Sequence, residues 1–343
     1  VFVCFFYSIF AFSPARTMND LYPLKFEPVF KEKIWGGHKI GHLLNQHHPH
    51  LNNCGELWAI SGLPDSPSMV CNGFLRGNSL NDLVEVYMGD LVGDGIYDKF
   101  GDNFPLLFKF INAEDFLSVQ VHPDDQLAMR RHGCSGKTEM WYVVAADEGA
   151  ELISGFKSKI SKDEYLKHLK DNTLKEILNY EKVQPGDVFY VPAGHVHAIG
   201  PGILLAEIQQ ASDITYRIYD WDRINQAGMP RELHTGLALE AINFDENGAY
   251  KSHPPVTKNR PVLLQKSEFF TVNLLDLDTA LEQDFYETDS FVAYMCLEGS
   301  FTLACGESRV KVSIGESLLV PAIIKDFTII PQDNCRLLET YIK

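Results

Sequence analysis

The chain has 343 residues, of which 45% are hydrophobic and 22% are charged, so it is long enough for one large or two medium-sized globular domains. A formal net charge of -16 leaves no basic surplus to neutralise phosphates, which argues against a nucleic-acid-binding protein. A small anionic substrate is not excluded, because it needs only a few local cations. The seven cysteines form no C-x-x-C pair, which favours reduced thiols over a disulfide framework or a zinc–thiolate site.

The first 17 residues form an apolar segment that precedes Met18. The segment is too short for an ordinary membrane span, and it lacks the basic residues that precede the apolar run of a signal peptide. We therefore expect translation to begin at Met18, residues 1–17 to lie outside the fold, and the protein to be cytoplasmic without a membrane partner. A truncated signal peptide, and hence secretion, is the alternative.

Beyond Tyr22, short β-like runs separated by Gly and Pro dominate the chain. The clearest are residues 106–111, 116–122, 140–145, 188–191, 203–208, 270–275, 291–297 and 317–320. Helical patterns are fewer and cover residues 79–87 and 161–179, the second with an apolar stripe behind an acidic first turn. Many short strands with few helices predict a mainly β protein, a sandwich or a barrel.

The run FLSVQVHPDD, residues 116–125, alternates apolar and polar side chains as a half-buried strand does. Its polar face carries Gln120 and His122 side by side. A strand with one face in water would have the same pattern, so this run alone does not indicate a site.

An internal repeat predicts two related β units. The octapeptide GDVFYVPA at residues 186–193 recurs as GESLLVPA at residues 315–322, an offset of 129 from 186 to 315. Upstream, YVVAADEG from Tyr142 resembles YMCLEG from Tyr294, an offset of 152, and the longer spacing of the first copy matches its helical segment. A strand, a Gly–acidic turn and V-P-A are typical of small jelly-roll barrels of the cupin type, although strand–turn patterns also recur by chance.

These observations predict two cupin-like jelly-roll barrels with a small helical insertion in the first. We place the catalytic unit at residues 18–250, its insertion at about 158–181, and a metal-free C-terminal unit at 251–343. By the two offsets, Asp326 and Phe291 of the second copy stand where His197 and Glu139 stand in the first. The first unit therefore gathers two imidazoles, a carboxylate and the amide of Gln120, a donor set that suits zinc or a related divalent ion with an open position. His195 and His197 compete for one position, since both lie on one face of a strand.

In these segments the sequence resembles the type I phosphomannose isomerases (mannose-6-phosphate isomerases), in the short form found in many bacteria. Four ordered motifs carry the resemblance: LSVQVHPDD, GKTEMWYV, VPAGHVHAIG and LLAEIQQASDITYRIYDWDR. IWGG, GELWAISG and FPLLFKFI also resemble family segments, and the likeness extends from Leu24 to the C-terminus.

The resemblance implies one zinc ion per chain, held by His122, Glu139 and His197, and it selects His197 over His195. Gln120 is the fourth candidate, because the corresponding amide is a ligand in the longer enzymes of the family. The resemblance also implies that Arg217 is catalytically essential.

The implied reaction interconverts mannose 6-phosphate and fructose 6-phosphate through a cis-enediol, by moving a proton between C2 and C1. A fixed cation such as Arg217 would stabilise the enediolate charge together with the metal. Glu207 is a candidate to act as the general base or to orient one, and Lys137 and Lys109 are candidates to hold the phosphate.

Two other classes fit parts of the pattern. A cupin dioxygenase would also use two histidines and a carboxylate, with iron as the metal, and a non-catalytic sugar-phosphate-binding protein would need the pocket alone. The only partner indicated is a small-molecule sugar phosphate, and the sequence gives no indication of an oligomeric state.

Overall fold

The computed structural model describes residues 21–46, 53–224, 228–245 and 248–343. The predicted foreign tail, residues 1–17, and the predicted start at Met18 lie outside these residues.

Short antiparallel strands are the main secondary structure of the described chain, as predicted. In chain order, the first elements are β1 (Leu24–Lys25), β2 (Val29–Gly37), α1 (Lys39–Leu43), β3 (Cys54–Ser61), α2 (Leu80–Val92), α3 (Asp94–Phe100), β4 (Leu106–Ala113), β5 (Val119–Val121), α4 (Asp125–His132) and β6 (Glu139–Ala146). The next are β7 (Glu151–Phe156), α5 (Lys162–Lys170), α6 (Leu174–Ile177), β8 (Leu178–Lys182), β9 (Val188–Val191), β10 (His197–Ala198), β11 (Ile203–Gln210), β12 (Tyr216–Tyr219), α7 (Thr235–Ala241) and β13 (Lys251–Ser252). The last are β14 (Val262–Lys266), β15 (Thr271–Leu277), β16 (Leu281–Asp284), β17 (Val292–Glu298), β18 (Ser300–Cys305), β19 (Ser308–Ser313), β20 (Ser317–Val320), β21 (Asp326–Pro331) and β22 (Cys335–Tyr341).

The strands form four sheets. A seven-stranded sheet has the order β13-β9-β6-β11-β4-β3-β2, and a five-stranded sheet has the order β12-β5-β10-β7-β8. A six-stranded sheet, β1-β20-β17-β22-β15-β14, and a four-stranded sheet, β16-β21-β18-β19, complete the set. Within the described ranges none of these sheets closes on itself, so the predicted barrels are observed as open sheets.

Four apolar clusters join the sheets into layers. One fills the space between the five- and seven-stranded sheets, and a second joins the seven-stranded sheet, α2 and the six-stranded sheet. A third lies between the six- and four-stranded sheets, and a fourth packs α4 to α7 on the outer face of the five-stranded sheet. The five- and seven-stranded sheets thus form one sandwich, and the six- and four-stranded sheets form the other.

The predicted helices begin where their sequence provides a cap. Ser79 and Ser161 each accept a backbone hydrogen bond from the residue three positions on, whose carboxylate binds back to the serine N–H, as in a capping box. The segment 161–179 was predicted as one helical stretch, but it divides into α5 and α6 and ends in strand β8. Asp171 follows α5 and Asn172 adopts a positive φ of 55°, a left-handed turn that separates the two helices.

The octapeptide repeat corresponds to the same hairpin built twice. Gly186 and Gly315 adopt positive φ values of 91° and 79°, which glycine tolerates without a Cβ clash. Four backbone hydrogen bonds then match in pairs: Gly186 N to Val143 O (2.9 Å) with Val143 N to Asp187 O (2.9 Å), and Gly315 N to Cys296 O (2.8 Å) with Cys296 N to Glu316 O (2.9 Å).

This pairing corrects the upstream alignment by one residue. Glu139 lies opposite Val191 in one sandwich, and Val292 lies opposite Val320 in the other. The counterpart of Glu139 is therefore Val292 and not Phe291. Both replacements are apolar, so the second unit still lacks this carboxylate.

Two short strands pair across the predicted boundary between the two units. β1, near the N-terminus, pairs with β20 in the six-stranded sheet, and β13 pairs with β9 in the seven-stranded sheet. The division at residue 250 stays a prediction. Among the described residues, no helix has the length and apolar character needed to cross a membrane.

Candidate active site

The FLSVQVHPDD strand lies at the centre of the site because its two faces meet different layers. Val119 and Val121 are fully buried in the cluster under the helices, while Gln120 points to the opposite face. Gln120 is paired with His197 of β10 on one side and with Arg217 of β12 on the other. Three predicted site residues from distant segments thus form one row across the five-stranded sheet.

His122, Glu139 and His197 form a compact buried cluster. Their candidate ligand atoms all lie within 4.8 Å of one another. Glu139 Oε1 is 3.3 Å from His122 Nε2, and Glu139 Oε2 is 3.8 Å from His197 Nε2. Each of the three residues is about 1% exposed. The structure therefore brings together the three main predicted ligands.

Both imidazoles present an unprotonated nitrogen to the centre of this cluster. His122 Nδ1 donates to the carbonyl of Ile214 at 2.9 Å, and His197 Nδ1 donates to the carbonyl of His195 at 2.8 Å, so each Nε2 carries a lone pair. Burial lowers the pKa of both rings, that of His197 to about 3, which keeps them neutral. A backbone carbonyl behind each ring is the usual support of a metal-binding histidine.

Glu139 supplies the anionic donor. Burial raises the pKa of its carboxyl, but neighbouring positive charge, to which Lys137 contributes most, brings the pKa well below its ordinary value. Among the described residues, Glu139 Oε2 and His122 Nε2 have no hydrogen-bond partner although both atoms are buried. Buried polar atoms are rarely left without a partner. Two imidazoles and a carboxylate with such atoms are suited to a zinc or related divalent ion.

Gln120 lies at the edge of the cluster. Its amide Nε2 is 3.2 Å from His197 Nε2, and its Oε1 is 3.5 Å from Ser118 Oγ. A half-turn of the amide exchanges the two atoms and would direct the oxygen toward the imidazole side. The structure thus places Gln120 next to the cluster and leaves its role as a ligand a prediction.

His195 faces away from this centre. Its Nε2 lies 3.0 Å from Ser154 Oγ, and its ring packs on Tyr250 with the centroids 4.5 Å apart. Its backbone carbonyl is the acceptor for His197. His195 therefore contacts the cluster through its main chain and not through its imidazole.

A polar cavity of about 320 Å³ opens beside the cluster, with Glu139 and Gln120 in its wall. Five cations and four carboxylates line it, so a polar, charged ligand suits it better than an apolar one. These residues are Lys33, Lys109, Lys137, Arg217 and Arg231 with Glu56, Glu139, Glu207 and Asp213.

Glu207 and Lys109 form a buried ion pair across β11 and β4. Lys109 Nζ donates to Glu207 Oε1 at 3.0 Å, and Trp141 Nε1 donates to Glu207 Oε2 at 2.9 Å. Burial and the charge of Glu139 raise the pKa of Glu207, although Lys109 acts in the opposite direction. Lys109 keeps its charge, because Glu207 and Glu56 more than offset its burial and raise its pKa.

Lys137 and Arg217 both line the cavity. Lys137 Nζ is 3.2 Å from Glu139 Oε1. Arg217 donates from Nη1 to the carbonyl of Glu232 at 2.8 Å, while its buried Nε has no hydrogen-bond partner among the described residues. Its guanidinium therefore retains donor capacity toward the cavity.

Four charged residues of the wall were not predicted from the sequence: Lys33, Glu56, Asp213 and Arg231. Glu56 and Asp213 lie in two of the segments quoted for their resemblance, and Lys33 directly precedes a third, IWGG. Arg231 lies between β12 and α7, outside every quoted motif, so the sequence gave no comparable signal for it.

Comparisons with known proteins match this combination of fold and site. The family model of the type I phosphomannose isomerase catalytic domain matches residues 23–153, and the model of the mannose-6-phosphate isomerase cupin domain matches residues 262–342. The chain is 35% identical over 321 residues to mannose-6-phosphate isomerase ManA of Bacillus subtilis, covering 91% of this chain and 97% of that protein. The chain belongs to the type I mannose-6-phosphate isomerase family.

Two further members support this assignment over nearly the whole length. The mannose-6-phosphate isomerase of Streptococcus mutans is 34% identical over 310 residues, which cover 89% of this chain and 94% of that protein. The crystal structure of mannose 6-phosphate isomerase from Bacillus subtilis superposes with a TM-score of 0.84 at 35% identity, covering 93% of this chain and 99% of that chain. The resemblance seen in the motifs is thus confirmed.

Proposed function

We propose that this chain is a zinc-dependent isomerase that interconverts mannose 6-phosphate and fructose 6-phosphate through a cis-enediol. One observation carries the proposal: the buried His122–Glu139–His197 cluster lies beside a charged cavity of about 320 Å³, and Glu139 forms part of the cavity wall. Membership of the mannose-6-phosphate isomerase family supports the choice of substrate.

His122, Glu139 and His197 would hold the metal through their Nε2 and carboxylate atoms, with Gln120 as a fourth candidate. A zinc ion held there would stabilise negative charge that develops on the oxygens of C1 and C2. Two neutral nitrogen donors and one carboxylate leave such an ion with a net positive charge, which suits this task.

Arg217 would stabilise the same charge from the other end of the row formed with Gln120 and His197. Its guanidinium stays charged, and its forked donors match two neighbouring oxygens. Because this stabilisation is needed when charge develops, it should affect the rate more than the ground-state affinity.

Glu207 would accept and return the proton that moves between C2 and C1, or orient the group that does so. Burial and Glu139 raise the pKa of Glu207, which makes it a stronger base than an exposed carboxylate, and Lys109 and Trp141 hold its two oxygens in place.

The phosphate has several candidate cations along the cavity. Lys137 and Lys109 are buried next to carboxylates, whereas the side chains of Lys33 and Arg231 remain 36% and 31% exposed. We assign Lys137 to the sugar end near Glu139, and we add Lys33 and Arg231 to the candidates for the phosphate.

A coupled isomerase assay tests the proposal. The purified protein should convert mannose 6-phosphate to fructose 6-phosphate, lose the activity on exhaustive chelation and regain it with zinc. A protein that contains stoichiometric metal but gives no turnover would contradict the proposal and favour a binding protein. Oxygen uptake with an iron-loaded sample would instead favour a cupin dioxygenase.

A further inference from the structure

Two adjacent glutamines, Gln209 and Gln210, end strand β11. Gln209 is completely buried and Gln210 is 5% exposed. Gln209 lies opposite Glu139 in the ladder of β11 and β6. Long polar side chains are rarely buried to this extent unless their hydrogen bonds are satisfied.

Gln209 binds the ammonium of Lys109. Its Oε1 accepts from Lys109 Nζ at 2.7 Å, a shorter contact than the 3.0 Å between Lys109 and Glu207. Its Nε2 donates to the carbonyls of Gln210 and Ser212, at 2.9 and 2.7 Å. Because carbonyls only accept, they fix the amide nitrogen on their side and leave the oxygen to face Lys109.

Gln210 holds the turn that precedes β6. Its Oε1 accepts from the backbone N–H of Thr138 at 2.9 Å, and its own N–H donates to the carbonyl of Thr138 at 3.1 Å. Its Nε2 donates to Asp125 Oδ1 at 2.9 Å, and the same oxygen accepts from Gly136 N at 2.7 Å. Thr138 lies between Lys137 and Glu139, so these bonds fix the backbone on which both side chains stand.

We propose that Gln209 and Gln210 are positioning residues: Gln209 holds the Lys109 ammonium against Glu207, and Gln210 holds the turn that presents Lys137 and Glu139. The inference rests on the proposed isomerase function for its kinetic effects. Its effect on metal affinity does not depend on that function. Neither glutamine is assigned a contact with substrate.

The first test replaces Gln209 in zinc-loaded protein. Gln209→Met removes the acceptor for Lys109 at similar volume, and kcat should fall about 10²-fold, because small displacements of site groups can cost that much. KM for mannose 6-phosphate should change much less, and bound zinc should stay stoichiometric. Gln209→Asn, which withdraws the oxygen by one methylene, should show the same loss where the Met variant does not fold.

A conservative variant separates positioning from simple stability. A protonated Gln209→Glu side chain keeps an oxygen for Lys109 but has only one donor for two carbonyls. The Gln209→Glu variant should therefore have most of the wild-type kcat but a lower melting temperature than wild type. Equal kcat losses in the Glu and Met variants, or a folded Met variant with kcat within about twofold of wild type, would overturn the role of Gln209, since misplacement should cost far more.

A second test measures metal affinity by competition with a chromogenic chelator. Gln210→Met should weaken zinc binding about 10- to 100-fold, as changes behind metal ligands commonly do, whereas Gln209→Met should not. Unchanged zinc affinity in folded Gln210→Met would overturn the role of Gln210. This readout requires no isomerase activity.

The matched control is Asn273→Ala in the other sandwich. Asn273 Nδ2 donates to the buried carboxylate of Glu339 at 2.9 Å, so the variant loses a buried amide far from the cluster. It should lower the melting temperature without changing kcat or zinc affinity. Wild-type protein with no isomerase activity would refute the proposed function, whereas active wild type with active glutamine variants would refute only the positioning roles.

Discussion

Glu139 contacts both a cation of the cavity and a proposed metal ligand. Its carboxylate lies 3.2 Å from the ammonium of Lys137 and 3.3 Å from His122 Nε2. A buried carboxylate without such partners would be protonated and unable to bind a metal as an anion. Lys137 thus keeps Glu139 ionised even before a metal binds.

Metal binding should depend on the cluster residues individually. His122→Ala or Glu139→Ala removes one of the three donors that the described residues bring together, so tight stoichiometric zinc binding should be lost, as measured by metal analysis after dialysis. His195→Ala is the matched control, because its side chain faces Ser154 while its carbonyl remains available to His197. Full zinc occupancy in both ligand variants would contradict the assignment.

We expect Arg217 to affect the rate of catalysis and not the binding of the metal. Arg217→Ala should lower kcat about 10²- to 10³-fold, the usual cost of losing one preorganised donor to developing charge, while zinc content is unchanged. Steady-state kinetics and metal analysis measure the two effects. Arg130→Ala removes an exposed surface arginine as a control. A rise in KM with kcat preserved would instead show that Arg217 binds ground-state phosphate.

At the scale of elements, β22 of the second sandwich repeats the polar arrangement of β11. Glu207 is paired with Lys109 and Trp141, and both donate to its carboxylate. Glu339 is paired in the same way with Asn273 and Tyr294, and both donate to it, at 2.9 and 2.8 Å. The second unit thus keeps a buried carboxylate but has a neutral amide where the first has a lysine.

Among the described residues the groups that bind Glu339 are neutral, so this carboxyl should make the free energy of unfolding depend on pH. Burial raises its pKa above the ordinary value, so the folded protein binds this proton more tightly than the unfolded chain. The contribution is therefore fully present below the unfolded pKa and decreases as the pH rises through the folded pKa. Each pKa unit corresponds to about 1.4 kcal/mol.

Glu339→Gln should reduce this decrease, because a neutral amide cannot lose the proton. Urea unfolding of wild type and variant between about pH 4.5 and 7 measures the difference. The stability of the variant relative to wild type should improve as the pH rises. Parallel curves over this range would contradict a raised pKa at Glu339.

At the scale of the whole molecule, the two sandwiches are related, but the candidate site lies in the first. The pairing of His197 with Gln120 corresponds to that of Asp326 with Asp284. The second sandwich thus has Asp326, Asp284 and Val292 where the first has His197, Gln120 and Glu139. Both units have the same type of fold, while the proposed metal ligands occur in the first unit.

The protein should therefore bind one catalytic zinc ion per chain. Asp326→Ala should leave activity within about twofold of wild type, as for most surface substitutions away from special features, because Asp326 is exposed and its carboxylate accepts a single side-chain hydrogen bond, from Tyr286, among the described residues. Metal analysis and the isomerase assay check both points. Two zinc ions per chain, or a folded but inactive Asp326→Ala, would contradict the one-site arrangement.

The sequence by itself determined the class of fold, the repeat and most of the proposed ligands. Alternation along β5 separated Gln120 from its buried neighbours Val119 and Val121, and Gly186 and Gly315 marked the repeated turn. These signals are local, because side-chain alternation and turn geometry depend on residues close together in the chain.

Only the tertiary structure decided which side chains meet. The sequence repeat gave Phe291 as the counterpart of Glu139, one residue away from the correct Val292. The pairings of β9 and β20 show the correct counterpart, since a register is set by pairing between distant strands. The same holds for Gln209, whose amide meets Lys109 only because β11 lies beside β4. Sheet order and register arise from packing over the whole chain, and they placed the glutamines, Lys33 and Glu56 around the cluster.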